Sequence, residues 1–426
     1  MPPKPTGLPT VRMYNVGFGD CFLLTFPYAA GDRHVLIDFG SHPKAKGAPT
    51  GYMETIARDI ANHVNGGRLA IVATHRHADH ISGFETKAGK ASGDIIRALK
   101  PDIVVQPWTE NPTAARNAHA PAFRARARAF YRSLAAMERF AQALVQGLPA
   151  VPAYVQNPQR ERLGYIGEDV IKNKSAVENL MTMGKKKPKY VYAGSKSGLE
   201  TFLPGVKIHV LGPPTLDQAP EIRSYAEKSP EYWLRRRRIA LGGRSAARGG
   251  ATGAPPFAAA YLRSARRPPP HAEWFVHKMR RAYAEELLGI VTMLDDVMNN
   301  TSIILLFEVG GEKLLFPGDA QLENWSFALK TSRTLLSGVT VYKVGHHGSL
   351  NATPQSLWTL LTSSSTGVGK TNFTTLLSSK SGVHGGEDNR PTEVPRRPLV
   401  DALKASSQYT TTLDEPDVGQ ARVVPL

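Results

Sequence analysis

An apolar run, Leu69-Ala70-Ile71-Val72-Ala73-Thr74, passes without a break into His75-Arg76-His77-Ala78-Asp79-His80. The run predicts a buried strand, and the six residues behind it hold three imidazoles and one carboxylate. On a loop at a strand's end, alternate residues project to one side. His75 and His77 can therefore face one ion, while Asp79 and His80, entering the next helix, turn toward a second. Nitrogen and carboxylate donors in this mix suit Zn²⁺, and Mn²⁺ is also compatible. Random placement of 13 histidines rarely yields H-x-H-x-D-H behind an apolar strand, so an inert surface cluster is the weaker reading. The single cysteine, Cys21, can complete neither an internal disulfide nor a multi-cysteine zinc site. Any metal must then be held by histidine and carboxylates.

Short apolar runs closed by Gly, Pro, Asn or Asp predict further strands at 11–16, 21–26, 34–38, 103–106, 206–211, 302–309, 313–316, 339–344 and 374–378. Helical spacing predicts helices at 52–64 and 94–99, and a first-turn proline predicts two more at 354–361 and 398–405. This alternation argues for an α/β layered fold. The 426 residues allow two or three domains, or one large domain with insertions. Hydrophobic content of 41% and charged content of 21% exclude a mainly disordered or collagen-like chain. No apolar run approaches the roughly 20 residues of a membrane helix, and the opening MPPKPTGLP lacks the apolar stretch of a secretory signal. The expectation is a soluble, cytoplasmic protein with no membrane partner. No internal repeat is visible.

The net charge of +17 is unevenly placed. Residues 110–190 carry 14 Lys and Arg against 6 Asp and Glu, and residues 215–290 carry 14 against 7, so these two segments hold nearly all of the excess. The chain therefore divides into an N-terminal half of a core at 1–109, a basic helical insertion at 110–190, a core strand segment at 191–214, a second basic and partly flexible insertion at 215–298, and the C-terminal half of the core at 299–426. Helices are expected at 122–146, where Arg124, Arg128 and Arg132 share a face, at 231–241, which holds Arg235, Arg236, Arg237 and Arg238, and at about 272–297. The Gly-, Ala-, Arg- and Pro-rich stretch 242–270 is expected to be flexible. Charge of this kind suits a polyanionic partner. Its candidate contacts are those arginines together with Lys185, Lys186, Lys187, Lys189, Arg244 and Arg248, with Trp108, Trp233 and Trp274 as base-stacking candidates. The same charge runs also read as solvated faces or an assembly surface, and each tryptophan as a core anchor.

Thr74 to His80, followed by Ile81-Ser82-Gly83, resembles the signature of the metallo-β-lactamase-fold hydrolases. Other segments agree. Asn15-Val16-Gly17-Phe18-Gly19-Asp20 followed by CFLLTF resembles the opening of the subgroup typified by the hydrolase domain of the ComEC DNA-uptake protein. Leu36-Ile37-Asp38-Phe39-Gly40 is similar to that fold's next strand and turn. Leu314-Leu315-Phe316-Pro317-Gly318-Asp319 resembles the strand that ends in a bridging aspartate, and Lys343-Val344-Gly345-His346-His347-Gly348-Ser349 resembles the subgroup's K-V-G-H-H-G-S. The resemblance covers the near-neutral core and neither basic insertion. It implies an αββα metallo-β-lactamase sandwich holding two divalent ions, Zn²⁺ first and Mn²⁺ second. His75 and His77 would hold the first ion, and Asp79, His80 and His346 the second, with Asp319 bridging.

Three departures from the wider family stand out. Asn299-Asn300-Thr301-Ser302 occupies the place where a third histidine of the first site usually lies. Glu393-Val394-Pro395 replaces a histidine before a proline, with His384 or Glu393 as substitutes. His77 stands where many ComEC-type domains have aspartate, which favours zinc. The resemblance gives Asp79 and Asp319 catalytic roles, in orienting water and setting the metal spacing. His347 and Lys343 are candidates for contacting the reacting group or protonating a leaving oxygen, although His347 reads equally well as a structural histidine. Asn300, Ser349 and Asn351 are candidate metal or substrate contacts, with a helix-capping role for Ser349 and Asn351 at least as well supported.

Two divalent ions roughly 3.5 to 4 Å apart can supply a metal-activated hydroxide at neutral pH. The fold hosts lactam, thioester, lactone and phosphodiester chemistry alike, and the charge distribution selects nucleic acid, whose phosphates reward Lys and Arg through counterion release. The leading expectation is a phosphodiesterase or nuclease cleaving DNA or RNA. Its alternatives are a small-molecule ester or phosphoester hydrolase, resembling phosphorylcholine esterases or lactonases, and a regulatory subunit that recruits a protein partner and keeps its metal site structural.

Overall fold

The computed structural model describes residues 3–42, 48–111, 174–215, 218–219, 299–363, 373–380, 393–413 and 417–426. Among them the chain forms β1 (Thr10–Tyr14), β2 (Cys21–Phe26), β3 (Arg33–Phe39), α1 (Tyr52–Val64), β4 (Arg68–Val72), α2 (Ala78–Ile81), α3 (Ser92–Ala98), β5 (Ile103–Pro107), α4 (Lys174–Thr182), β6 (Lys189–Val191), α5 (Leu199–Phe202) and β7 (Lys207–Gly212). It continues through β8 (Ile304–Val309), β9 (Glu312–Phe316), α6 (Leu322–Leu336), β10 (Val341–Lys343), α7 (Gln355–Ser363), β11 (Thr374–Leu377), α8 (Arg397–Ser406), β12 (Gln408–Thr411) and β13 (Ala421–Pro425). The expected α/β class is what the chain adopts.

The strands make two mixed sheets, ordered β13-β1-β2-β3-β4-β5-β6 and β12-β11-β10-β9-β8-β7. Pairing is antiparallel from β13 through β3 and parallel from β3 through β6. The second sheet is antiparallel from β7 to β9 and parallel from β9 to β12. Period-two alternation gives the central strands two apolar faces. Phe22, Leu24, Val35, Ile37, Val72 and Val105 from the first sheet share one buried cluster with Val210, Leu305, Phe307, Leu314, Phe316 and Val341 from the second. The opposite residues of the first sheet, including Leu23, Leu36 and Ile71, pack against Ile56 and Ile60 of α1, Ile96 of α3 and Leu180 of α4. Those of the second, including Leu306, Leu315 and Tyr342, pack against Trp325 of α6, Leu357 of α7 and Leu403 of α8. The two sheets thus share a core, and helices cover their outer faces.

Residues 174–191, all but the last of them in the segment read as a basic insertion, supply α4 and β6 to this core. Asn179 donates to the carbonyls of Phe84 and Gly93, and β6 pairs with β5 in parallel. The helices expected at 122–146, 231–241 and 272–297 lie outside the described residues. Among the described residues no helix is long and apolar enough to cross a membrane.

Parallel pairing aligns the carboxyl ends of β3, β4 and β5 at one rim of the first sheet, and likewise those of β9, β10 and β11 in the second. Loops at such ends are the usual place for a site in α/β sheets. The motifs that carry chemistry all leave the sheets there.

Candidate metal centre

The turn after β4 carries His75 and His77, and α2 carries Asp79 and His80, all nearly or fully buried. Asp38, near the end of β3, holds this segment in place. Its carboxylate accepts from the Thr74 backbone N–H at 2.7 Å, from the Thr74 hydroxyl at 2.7 Å and from His80 Nδ1 at 2.8 Å. A glycine makes the close approach of the neighbouring turn feasible, since a methyl at Gly40 would come within 2.5 Å of Ala78 O and of the Asp79 carbonyl carbon. The Asp20 N–H then reaches Asp79 O at 2.9 Å and the Gly40 N–H reaches Asp20 O at 3.0 Å.

From the second sheet, β9 delivers Asp319 and β10 delivers Lys343, His346 and His347. Ligand-competent atoms of Asp79, His80, Asp319 and His347 all lie within 4.8 Å of one another, in complete burial. His80 Nε2 is 3.0 Å from Asp319 Oδ2, and His347 Nε2 is 2.9 Å from Asp79 Oδ2 and 3.7 Å from Asp319 Oδ2.

The tautomers decide what this cluster needs. His80 Nδ1 is committed to Asp38, and His347 Nδ1 to the carbonyl of Ser378 at 3.0 Å. Each Nε2 is then left facing a carboxylate oxygen, an arrangement that is repulsive unless a proton or a cation lies between. Burial disfavours the imidazolium form, yet Asp319, Asp79 and Asp38 outweigh it and hold His80 well above its ordinary range. His347 is raised in the same way by Asp319, Asp20 and Asp79. Asp79 Oδ1, fully buried, has no hydrogen-bond partner. A buried set of acceptors that demands positive charge, with a carboxylate oxygen to spare, fits a divalent cation.

His75 and His77 form a second, smaller group. His75 Nε2 and His77 Nδ1 lie 3.0 Å apart. Burial lowers both imidazoles, His77 to about 4, so both are neutral at pH 7 and able to act as ligands. Asp20 and Asp38 were not among the sequence candidates, although they make a further group with His80.

His346 and His347 both have left-handed backbone, with φ of 43° and 51°, a strain that non-glycine residues sustain chiefly at functional sites. Of the two, His347 joins the four-residue cluster, whereas the resemblance had put His346 there. His346 Nε2 is 4.0 Å from Asp319 Oδ2, and its backbone N–H donates to Asp319 Oδ1 at 3.0 Å. Ser349 Oγ donates to Asn351 Oδ1 and so accepts from His346 Nδ1 at 2.8 Å. Ser349 therefore orients His346 rather than capping a helix.

Lys343 is 2% exposed, with Nζ paired to Asp20, 3.2 Å from Gly318 O and 3.5 Å from Asp319 Oδ1. Burial opposes its charge, but Asp20 and Asp319 raise it well above the ordinary lysine value. Lys343 is thus a fixed positive charge beneath the cluster near neutral pH. Asn300 Nδ2 donates to Glu323 Oε2 at 2.7 Å, a structural bond. Trp108 is a core anchor, 3% exposed, with Nε1 donating to Pro214 O. Glu393 is buried, with Oε2 3.9 Å from Arg396. Exposed Lys185, Lys186 and Lys187 precede β6, and Lys185 pairs with Asp102 at 3.3 Å, ahead of β5. They occupy the amino-terminal rim of the first sheet, opposite the rim that bears the metal motif. Arg124, Arg128, Arg132, Arg235, Arg236, Arg237, Arg238, Trp233, Trp274 and His384 lie outside the described residues.

The chain matches no protein-family model, and no curated protein matches it significantly. The site accordingly stands on its own geometry: a buried group of two imidazoles and two carboxylates and a buried pair of imidazoles, converging at the carboxyl ends of two packed sheets.

Proposed function

We propose that the chain is a metallo-β-lactamase-fold hydrolase that uses divalent metal to cleave phosphodiester bonds in nucleic acid. The observation that carries this reading is the buried Asp79–His80–Asp319–His347 cluster, whose paired Nε2 atoms and carboxylates need positive charge between them, which a divalent cation supplies. Two sheets sharing a core beneath helices, with His75 to His80, Asp319 and the His346–His347 pair leaving adjacent strand ends, support the fold half of the proposal. The basic segments support the substrate half. His75 and His77 would hold one ion, and Asp79, His80 and His347 another, with Asp319 between them and His346 beside it. When bound, divalent ions acidify water and offset charge on phosphoryl oxygens. Asp79, through its unpaired Oδ1, orients the water and takes its proton. Lys343 holds the Asp20 carboxylate in place and helps His80 keep that of Asp319 ionised.

A small phosphoester or lactone is the second reading, favoured by the placement of Lys185, Lys186 and Lys187 away from the metal rim. The experiment that separates the two is cleavage of end-labelled single- and double-stranded DNA and RNA, beside a chromogenic phosphodiester, with Zn²⁺ or Mn²⁺ and with chelator. Polymer cutting that stops on chelation is the expected result. Turnover of the small ester alone would move the reading to the second class.

A further inference from the structure

Two histidines do not complete a metal site. Zn²⁺ in proteins takes at least three protein ligands when catalytic, and His75 and His77 supply two nitrogens. Thr74 Oγ1 donates to Asp38 Oδ2 and so accepts from His75 Nδ1 at 3.3 Å. His75 Nε2 then accepts from His77 Nδ1 at 3.0 Å, and the pair offers an ion two nitrogens at most, one donor short of a catalytic zinc site.

The loop 299–302 borders this place. The Ile303 N–H donates to Thr74 O at 3.0 Å, next to His75. The Asp319 N–H donates to Ser302 Oγ at 3.2 Å, and Asn324 Nδ2 donates to the carbonyls of Asn300 and Ser302. The loop is therefore wedged between the turn that carries His75 and the turn that carries Asp319.

Its two asparagines differ. Both ends of the Asn300 carboxamide are used, Nδ2 by Glu323 at 2.7 Å and Oδ1 by the Asn324 N–H at 3.4 Å. Asn299 is 0% exposed, and neither its Nδ2 nor its Oδ1 has a hydrogen-bond partner. Leaving a buried polar atom unsatisfied is destabilising, so a fully buried carboxamide with both ends unmet is an unfavourable feature for a purely structural loop.

We propose that the Asn299 carboxamide oxygen is the third protein donor at the His75–His77 group, making it a mixed imidazole–carbonyl site. The inference rests on the metal-centre reading above. A carbonyl donor is harder and weaker than imidazole and suits Mn²⁺ better than a third histidine would. The two groups then differ in affinity: Asp79, His80, Asp319 and His347 bind tightly, and His75, His77 and Asn299 bind the weaker ion.

The test is equilibrium dialysis of the whole chain against Mn²⁺ alone and Zn²⁺ alone, followed by elemental analysis, with circular dichroism to confirm folding. Wild type is expected to take up two ions in separate steps. Asn299→Ala is expected to weaken the second step at least tenfold and to leave the first unchanged, and His77→Ala to weaken that same step. The double variant should lose no more than His77→Ala alone. Asn299→Asp should tighten the second step, which keeps the idea testable if the alanine variant fails to fold. Asn299→His should turn its preference toward Zn²⁺. Unchanged binding steps in both Asn299→Ala and Asn299→Asp would overturn the assignment and leave the four-residue centre standing. A wild type that binds no ion would overturn both.

Discussion

Asp79→Ala is expected to lower metal-dependent phosphodiester cleavage by about 10³-fold, within the range that a positioned proton acceptor supplies, while nucleic-acid binding stays within a few-fold of wild type. Asp79 is 5% exposed, with Oδ2 held by His347 at 2.9 Å and Oδ1 left without a partner. Burial alone would raise its carboxyl, but the charge of His80 and the hydrogen bond from His347 hold it well below the usual carboxylate range. It is therefore ionised wherever cleavage would be assayed. The alanine variant removes one of the four cluster ligands and the proton acceptor together. Asp79→Asn keeps the shape and loses the charge, and should be nearly as impaired. The check is initial rates at matched metal loading, beside a filter-binding assay. Cleavage within tenfold of wild type would contradict the role, and equal loss of binding and cleavage would point to a folding defect.

Lys343→Met is expected to destabilise the metal-free protein by about 3–5 kcal/mol, because it strands a buried carboxylate without its partner. Asp20 and Lys343 are 1% and 2% exposed and pair beneath the centre. Methionine approximates the lysine stem, so the loss reports charge more than packing. The double variant Asp20→Asn/Lys343→Met should recover a large part of the stability, since both charges then leave together. Denaturant titrations of all four proteins in chelator supply the cycle. A double variant as unstable as the two single effects added would show that the pair acts by shape and not by charge.

Much of the fold was legible because buried strands are apolar at short range. The run CFLLTF gave β2 at its observed bounds, Cys21–Phe26, and the other nine expected strands lie within two residues of their observed ends. β6, β12 and β13 escaped notice for a shared reason. β6 is three residues beside lysines, β12 reads Gln408-Tyr409-Thr410-Thr411, and β13 lies at a sheet edge with Val423 half exposed. Such strands are made by pairing rather than by apolar composition. α6 was missed because its sequence, LENWSFALKTSRTLL, spreads polar residues around the helix and turns non-helical at Ser332.

The site divides the same way. His75 to His80 stand together in the chain and could be read as one unit, and Asp319 follows a glycine at a strand end. The choice between His346 and His347 depends on which adjacent side chain a left-handed turn sends toward Asp79, which residue order does not encode. Asp20 and Asp38 become site residues only through partners that no local pattern links. Asp38 meets His80 across 42 positions, and Asp20 meets Lys343 from the other sheet.

Elemental analysis of the purified chain, before and after dialysis against Zn²⁺ or Mn²⁺, measures the central claim most directly when His80→Ala and Asp319→Ala are run alongside. At least one ion per chain should survive dialysis into metal-free buffer in the wild type and fall to trace in both variants. A folded wild type that retains no metal from either ion, or variants that retain as much as wild type, would contradict the account.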